Sequence, residues 1–308
     1  MTITDTPLGL ADVHAAADRI AAHVRRTPLV AMGPRVMVKA EHRQRGGSFK
    51  ARGAANAMLG LTADAVVTGS SGNHGIALAL LGAAIGVRVT VVMAAGASAA
   101  KARVIRSLGA RVVKTDGGVA ERERRAAEIA VATGAALVPS SDHPLVVAGA
   151  GTVGLEIFED VPGVSTVFVP TGGGGLLAGV CLAAEALPVR IVGVEPVDAR
   201  RYALSRAADR PVQLPPATTI ADGLRGQRPG EVPWPIIRRR VDDLVGVTDD
   251  EIGHALAVLR RAGVAAEPSG AVALAGAMGS GFPGRAVVIV SGGNTPLALS
   301  TMDSGVRP

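Results

Sequence analysis

Aromatic side chains make up only 2% of the 308 residues, with one Trp, one Tyr and four Phe. A nucleic-acid surface that stacks bases on rings is hard to build from so few. Cysteine is scarcer still. Cys181 is the single one, which excludes an intramolecular disulfide and fits a reducing compartment. Flanked by Leu176-Leu177-Ala178-Gly179-Val180 and Leu182, it reads as a small core residue. No His/Cys cluster has zinc spacing, and no P-loop occurs. Apolar runs are too short and too broken by glycine to span a bilayer. Met1-Thr2-Ile3-Thr4-Asp5-Thr6 has no basic segment leading into an apolar run, so no secretory leader is expected and the cytoplasm is the expected location. A coherent charge patch is also missing, although the net charge is +6. Arg238-Arg239-Arg240 runs straight into Asp242-Asp243, and the stretch Glu121–Glu128 interleaves acids with Arg122, Arg124 and Arg125. Both read as solvated faces, and the mild positive field favours small anionic substrates at most.

What is abundant is glycine, at 40 residues, within a chain that is 48% hydrophobic and 19% charged. That composition is globular, and the length suggests two lobes. Short β-branched runs (Val66–Thr68, Val87–Met93, Arg111–Lys114, Thr166–Val169, Ile191–Val194, Ala286–Val290) alternate with helix-like segments (Ile76–Leu81, Ser98–Leu108, Glu121–Ala132, Leu176–Leu187). The alternation predicts an α/β fold with buried parallel sheet and helices on both faces. In such sheets ligands bind beyond the carboxyl ends of strands. The stretch from Pro188 to Trp234-Pro235 is richer in Pro, Gly and Arg and reads as mainly irregular structure around the larger lobe.

Glycine-bearing loops follow the strands: Gly69-Ser70-Ser71-Gly72-Asn73-His74-Gly75, Pro170-Thr171-Gly172-Gly173-Gly174-Gly175 and Ser291-Gly292-Gly293-Asn294. Gly172–Gly175 opens a helix, so its backbone amides and the helix N-terminus suit a phosphate. The owner of that phosphate stays open. Gly173-x-Gly175-x-x-Ala178 with Glu195 downstream also satisfies a dinucleotide fingerprint, which makes a nicotinamide-dependent oxidoreductase a rival. The loop Ser70–Gly75 offers hydroxyls, an amide and turn N–H groups for a carboxylate or a ring substituent. It fails the G-x-S-x-G nucleophile elbow because Asn73 takes the place of the second glycine. His74 has no evident carboxylate orienter and reads as a hydrogen-bonded structural histidine. Lys50 lies between Gly46-Gly47-Ser48-Phe49 and Ala51-Arg52-Gly53-Ala54. A lysine on apolar surface loses ammonium hydration, and its amine becomes a nucleophile or Schiff-base former, whereas a snorkelling surface lysine is the plain alternative.

Taken together, Gly47-Ser48-Phe49-Lys50-x-Arg52-Gly53-Ala54 with Glu41 and Gln44 upstream, Ser70–Gly75, Gly172–Gly175 with Leu176, and Ser291–Asn294 resemble the fold type II pyridoxal-phosphate enzymes, the family of threonine/serine dehydratases and serine racemases. Supporting similarity runs through Thr219–Leu224, Trp234–Ile237 and Glu267-Pro268-Ser269, so the likeness covers about Leu10 to Thr295. The resemblance implies a tryptophan synthase β-like fold: two α/β lobes with parallel-rich sheets and the site in the cleft. Residues 62–143 would form a smaller lobe inserted between 1–61 and 144–308 of the larger. It implies pyridoxal 5'-phosphate as cofactor, held by Lys50 as a Schiff base. Asn73 would bond the ring hydroxyl, Gly172, Gly173, Gly174 and Gly175 would cradle the phosphate, and Ser291 would face the pyridine nitrogen. A neutral serine there makes the ring a weaker electron sink than an aspartate would, which favours expelling a β-hydroxyl.

The implied activity is dehydration of serine- or threonine-type amino acids to a 2-keto acid and ammonia, with Lys50 as base at Cα. Ser70, Ser71, Gly72, Asn73 and His74 would bind the substrate. Ser71 either only binds the carboxylate or is a second base opposite Lys50, as in the racemase branch. A catalytically dead, cofactor-binding protein is the remaining alternative. A homodimer without nucleic-acid or membrane partners is implied. Departures are Ile76 and Ala150, where many relatives carry glutamine, and Arg201, where metal-dependent relatives carry an acid six residues beyond the counterpart of Glu195. With Glu195 and Ala199 as the residues that could serve a metal, the substitution makes a divalent site doubtful and suggests a guanidinium that neutralises Glu195 directly.

Overall fold

The computed structural model describes residues 7–303. Its strands are β1 (Leu29–Ala31), β2 (Val36–Lys39), β3 (Ala65–Gly69), β4 (Arg88–Ala94), β5 (Arg111–Thr115), β6 (Ala136–Leu137), β7 (Thr166–Pro170), β8 (Arg190–Pro196), β9 (Asp243–Val247) and β10 (Ala286–Ile289). They form a six-stranded sheet in the order β1-β2-β10-β7-β8-β9 and a four-stranded sheet in the order β5-β4-β3-β6. Every pairing except β1 with β2 is parallel. β7 and β10 are buried along their whole length, as expected of strands covered by helices on both faces.

Each sheet has its own apolar core. Val167, Val169, Ile191, Val287 and Ile289 face one side of the larger sheet, and Phe168, Val192, Val194 and Val288 face the other, the alternation that a period of two demands. The core behind the smaller sheet joins Val66, Val91 and Met93 to Ala54 and Met58 of the helix Lys50–Leu61, to Ile20 and to Leu299. Glycine brings the helices together: the Cα of Gly179 lies so close to Val147–Gly151 that an added Cβ would meet the Gly151 nitrogen at 2.4 Å.

The predicted strands recur, with ends shifted by a residue or two. The short strands β1, β2, β6 and β9 were not predicted, because runs of two to five residues carry little periodicity. The helix expected over Leu176–Leu187 ends earlier, as Gly175–Ala183. The stretch read as irregular also contains the helix Arg201–Ala207, although 208–220 follows without regular structure. No helix among the described residues is long and apolar enough to cross a membrane.

Candidate active site

The loops that follow β3 and β10 meet at the start of the helix Lys50–Leu61, and the loop after β7 is linked to Lys50 through Ser140–Ser141. Gly46 and Gly47 enter that helix with φ of 70° and 73°, a left-handed backbone that glycine adopts freely. At Gly47 a Cβ would also lie 2.2 Å from Asn294 Oδ1. Ser48 pairs with Gly292 in an antiparallel bridge, the Phe49 N–H donates to the Ser291 carbonyl at 3.0 Å, and the Gly293 N–H donates to the Gly47 carbonyl at 2.9 Å. The lysine motif and the Ser291 loop are therefore stitched together backbone to backbone.

Lys50 Nζ donates to the Ser140 carbonyl at 2.5 Å and lies 4.9 Å from the centroid of the Phe49 ring. The side chain keeps partial access to solvent, yet its nitrogen is packed among protein atoms, and burial lowers its pKa to about 8. Below it, Arg52 is fully buried. Its Nε and Nη2 donate to Glu41 at 2.9 and 2.8 Å, and its Nη1 donates to Glu156 at 2.6 Å. Lys39 Nζ completes the cluster with a 2.6 Å bond to Glu156. Burial opposes the Arg52 charge, but the two carboxylates outweigh it and hold the guanidinium protonated. Gln44 Oε1 accepts from the Arg25 and Arg45 N–H groups, so it fixes the turn rather than the ligand.

On the facing loop, Ser70 Oγ accepts from the Gly72 and Gly75 N–H groups, both at 3.3 Å, and so closes the start of the helix Asn73–Ile85. Ser71 Oγ accepts from the Ala94 N–H at 3.1 Å. Asn73 Nδ2 donates to Glu267 Oε1 at 2.5 Å while its Oδ1 accepts from Asn294 at 3.0 Å, which fixes the amide orientation and leaves one N–H free. His74 is buried with Nε2 on the Val138 carbonyl at 3.1 Å, and burial lowers its pKa to about 3. It is a neutral ring held through Nε2, with its Nδ1 buried and without a partner. Lys101 Nζ pairs with Asp222 at 3.1 Å and would lie 3.9 Å from a Cβ on Gly72. Ile76 and Ala150 are both buried within apolar cores, so these departures change the packing behind the site rather than its surface.

Gly172–Gly175 leads from β7 into the helix Gly175–Ala183. Gly174 has φ of 95°, and a Cβ there would lie 2.0 Å from Tyr202 Oη; one on Gly173 would lie 2.1 Å from Ser141 Oγ. The backbone N–H groups of Gly172, Gly173 and Gly174 find no acceptor among the described residues. A loop with no room for side chains and with free donors at a helix N-terminus fits a phosphate. Ser291 is buried, and its hydroxyl has only a 3.5 Å contact to the Ser269 carbonyl, leaving it free for a ring nitrogen. The residues present thus fit pyridoxal phosphate. Lys50 would hold its carbonyl carbon, Asn73 its hydroxyl, Ser291 its nitrogen and the glycine loop its phosphate.

A metal is a different matter. Glu195 is fully buried and spends its two oxygens on the Tyr202 and Ala203 N–H groups at 3.0 and 2.9 Å. Burial raises its pKa to about 7, against the opposing charge of Arg201 and those backbone bonds. Ala199 sits buried in the 3₁₀ turn Val197–Ala199. Arg201 makes no direct ion pair with Glu195, contrary to the expectation; its guanidinium donates to the Thr171 carbonyl at 3.5 Å and to the Leu224 carbonyl. These residues do not fit a hard cation, since the carboxylate is already bonded and a guanidinium stands beside it. The dinucleotide reading fails at the same residue, because both Glu195 oxygens are occupied.

Sequence reasoning overlooked the segment Ser140–His143, whose Ser140 carbonyl receives Lys50 and whose Ser141 backs the glycine loop. It also overlooked the roles of Glu267 and Lys101. Glu267 stood out only as part of the Glu267-Pro268-Ser269 stretch, and nothing local marks Ser140, Ser141 or Lys101; the fold brings them to the site.

A family model described as "Pyridoxal-phosphate dependent enzyme" matches residues 20–293. Serine racemase from Oryza sativa subsp. indica is 38% identical, with 94% of this chain and 92% of that protein covered. L-threonine ammonia-lyase from Geobacter sulfurreducens is 38% identical over 92% of this chain and 74% of its own length. The structure of maize serine racemase superposes with a TM-score of 0.90 at 34% identity, covering 98% of both chains. With a family model and relatives matched along nearly the whole chain, this protein belongs to the pyridoxal-phosphate-dependent enzymes and shares their fold type II architecture.

Proposed function

We propose that the protein is an ammonia-lyase that removes the β-hydroxyl of L-serine- or L-threonine-type amino acids, yielding a 2-keto acid and ammonia. The observation that carries this reading is the Lys50 amine, desolvated to a pKa of about 8 and held on the Ser140 carbonyl. The bound cofactor supplies the electron sink for the bond broken at Cα. Lys50 Nζ, once free, takes the Cα proton. The turn N–H groups and hydroxyls of Ser71–His74 orient the substrate carboxylate, and Ser291 leaves the ring nitrogen without a carboxylate to hold a proton there. The β-hydroxyl departs as water with the proton that Lys50 Nζ took from Cα, and the released enamine hydrolyses by adding water back and losing ammonia.

One observation favours racemisation as a second activity. Ser71 Oγ accepts from the Ala94 N–H and donates to no acceptor among the described residues, so its own proton is unclaimed, as a second acid–base group for Cα would need. A serine racemase among the relatives supports this. The lobe assignment of 62–143, a homodimeric state and a cytoplasmic location belong to the same reading.

The purified protein is expected to be yellow, and borohydride to bleach it irreversibly. Lys50→Ala is expected to lack the colour and to make no keto acid from L-serine or L-threonine. A colourless wild-type protein, or a Lys50→Ala protein with full activity, would overturn the assignment.

A further inference from the structure

The residues around Glu195 disagree with a divalent site, and the disagreement has a shape. Arg201 is fully buried, and its guanidinium reaches the carbonyl of Thr171, immediately before the glycine loop, and that of Leu224, at the end of the turn Asp222–Leu224. Two carbonyl oxygens and a nearby carboxylate form the environment a hard cation would need, but here they face a positive charge tethered to the chain. The next residue extends the brace. Tyr202 Oη donates to the Gly173 carbonyl at 2.8 Å and accepts from the Gly230 N–H at 3.2 Å, while the Tyr202 N–H is held by Glu195. The rear of the phosphate loop is thus fixed at Thr171 and Gly173 by neighbouring residues that Glu195 anchors. Arg201 Nε is buried without a partner, so it is the position of the charge, rather than a full set of bonds, that the site retains.

We propose that Arg201 is a positioning residue that serves as a resident cation, holding the glycine loop and the Asp222–Leu224 turn in register so that cofactor binding is independent of divalent metal. A guanidinium offers several donors in a fixed fork and cannot dissociate, so chelation and ion depletion leave the loop in place.

The inference rests on the cofactor reading above, and the test separates the two. Wild-type apoprotein is stripped with a chelator and titrated with pyridoxal phosphate in chelator, in magnesium and in calcium, with the thermal midpoint followed in parallel. Affinity and midpoint are expected to be the same in all three. Arg201→Gln is expected to weaken cofactor binding by about 10-fold or more, the range for losing charged hydrogen bonds. Arg201→Asp, which adds an acid beside Glu195, is expected to be weakened likewise in chelator and to recover at least partly with magnesium or calcium. A purely structural arginine would not produce that cation rescue. A wild-type midpoint or affinity that rises with either ion, an Arg201→Gln protein with unchanged affinity, or a folded Arg201→Asp protein that ignores both ions overturns the proposal. Failure of the wild-type protein to bind pyridoxal phosphate at all overturns the cofactor reading instead.

Discussion

The two walls of the cleft are held by different physics. On the Lys50 side, Arg52, Glu41, Glu156 and Lys39 form a buried ionic cluster with bonds of 2.6–2.9 Å. On the facing side, Ser70 and Ser71 of the loop Ser70–Gly75 accept from backbone N–H groups at 3.1–3.3 Å, while Asn73 in the same loop donates to the Glu267 carboxylate. Buried paired charges demand one geometry, because a missing partner leaves an uncompensated charge. Neutral hydroxyl contacts contribute little each and can be exchanged for contacts to a ligand. The side that carries Lys50 is braced by paired charges, whereas the Ser70 and Ser71 contacts of the facing loop are neutral.

The comparison breaks most completely at Lys50, since removing its amine is expected to abolish both colour and turnover. The intact amine offers a graded version of the same test. It is mostly neutral only above its lowered pKa, so the rate of cofactor capture by apoprotein should rise with pH through about 8 and then level off, as read by visible absorbance. Next comes Arg52→Met, which leaves Glu41 buried without its partner. It is expected to cost about 3–5 kcal/mol in denaturant unfolding. A loss near zero would mean that the charged wall is no firmer than the neutral one.

On the facing wall, Ser71→Ala should abolish racemisation of L-serine while retaining elimination, as measured by chiral analysis beside a keto-acid assay. Equal loss of both activities would reduce Ser71 to a carboxylate ligand. The smallest effect is expected at Ser70→Ala, about 1 kcal/mol of stability from a lost helix-start hydroxyl. A loss as large as that of Arg52→Met would erase the distinction between the walls.

Much of this was legible in the sequence, for a physical reason. Loops that bind with their backbone must be rich in glycine, and buried parallel strands must be continuous Val/Ile runs, so Gly172–Gly175 and β7, β8 and β10 announce themselves. Lys50 is legible because small residues, Gly46-Gly47-Ser48 before it and Ala51, Gly53 and Ala54 after it, surround a single lysine. Partnerships are not legible. That Ser70 closes a helix while its neighbour Ser71 reaches Ala94 at the end of the adjacent strand depends on strand pairing, and that Asn73 is set by Glu267 from 194 positions away depends on tertiary packing. Arg201 shows the middle case: its identity signalled a departure, but the direct pair with Glu195 that charge alone suggested is replaced by bonds to carbonyls.

The stitching of the lysine motif to the Ser291 loop also has a consequence in time. Asn294 donates to the Gly46 carbonyl across 248 positions of chain, and the Gly47–Phe49 backbone shares hydrogen bonds with Ser291 and Gly293. Contacts between such distant segments close late, after the entropy of the intervening chain has been lost. During synthesis the lysine emerges early but has no finished surroundings until the Ser291–Asn294 loop has left the ribosome. Acquisition of colour should therefore report arrival of that loop, and a nascent protein stalled before Ser291 should remain unable to hold its cofactor.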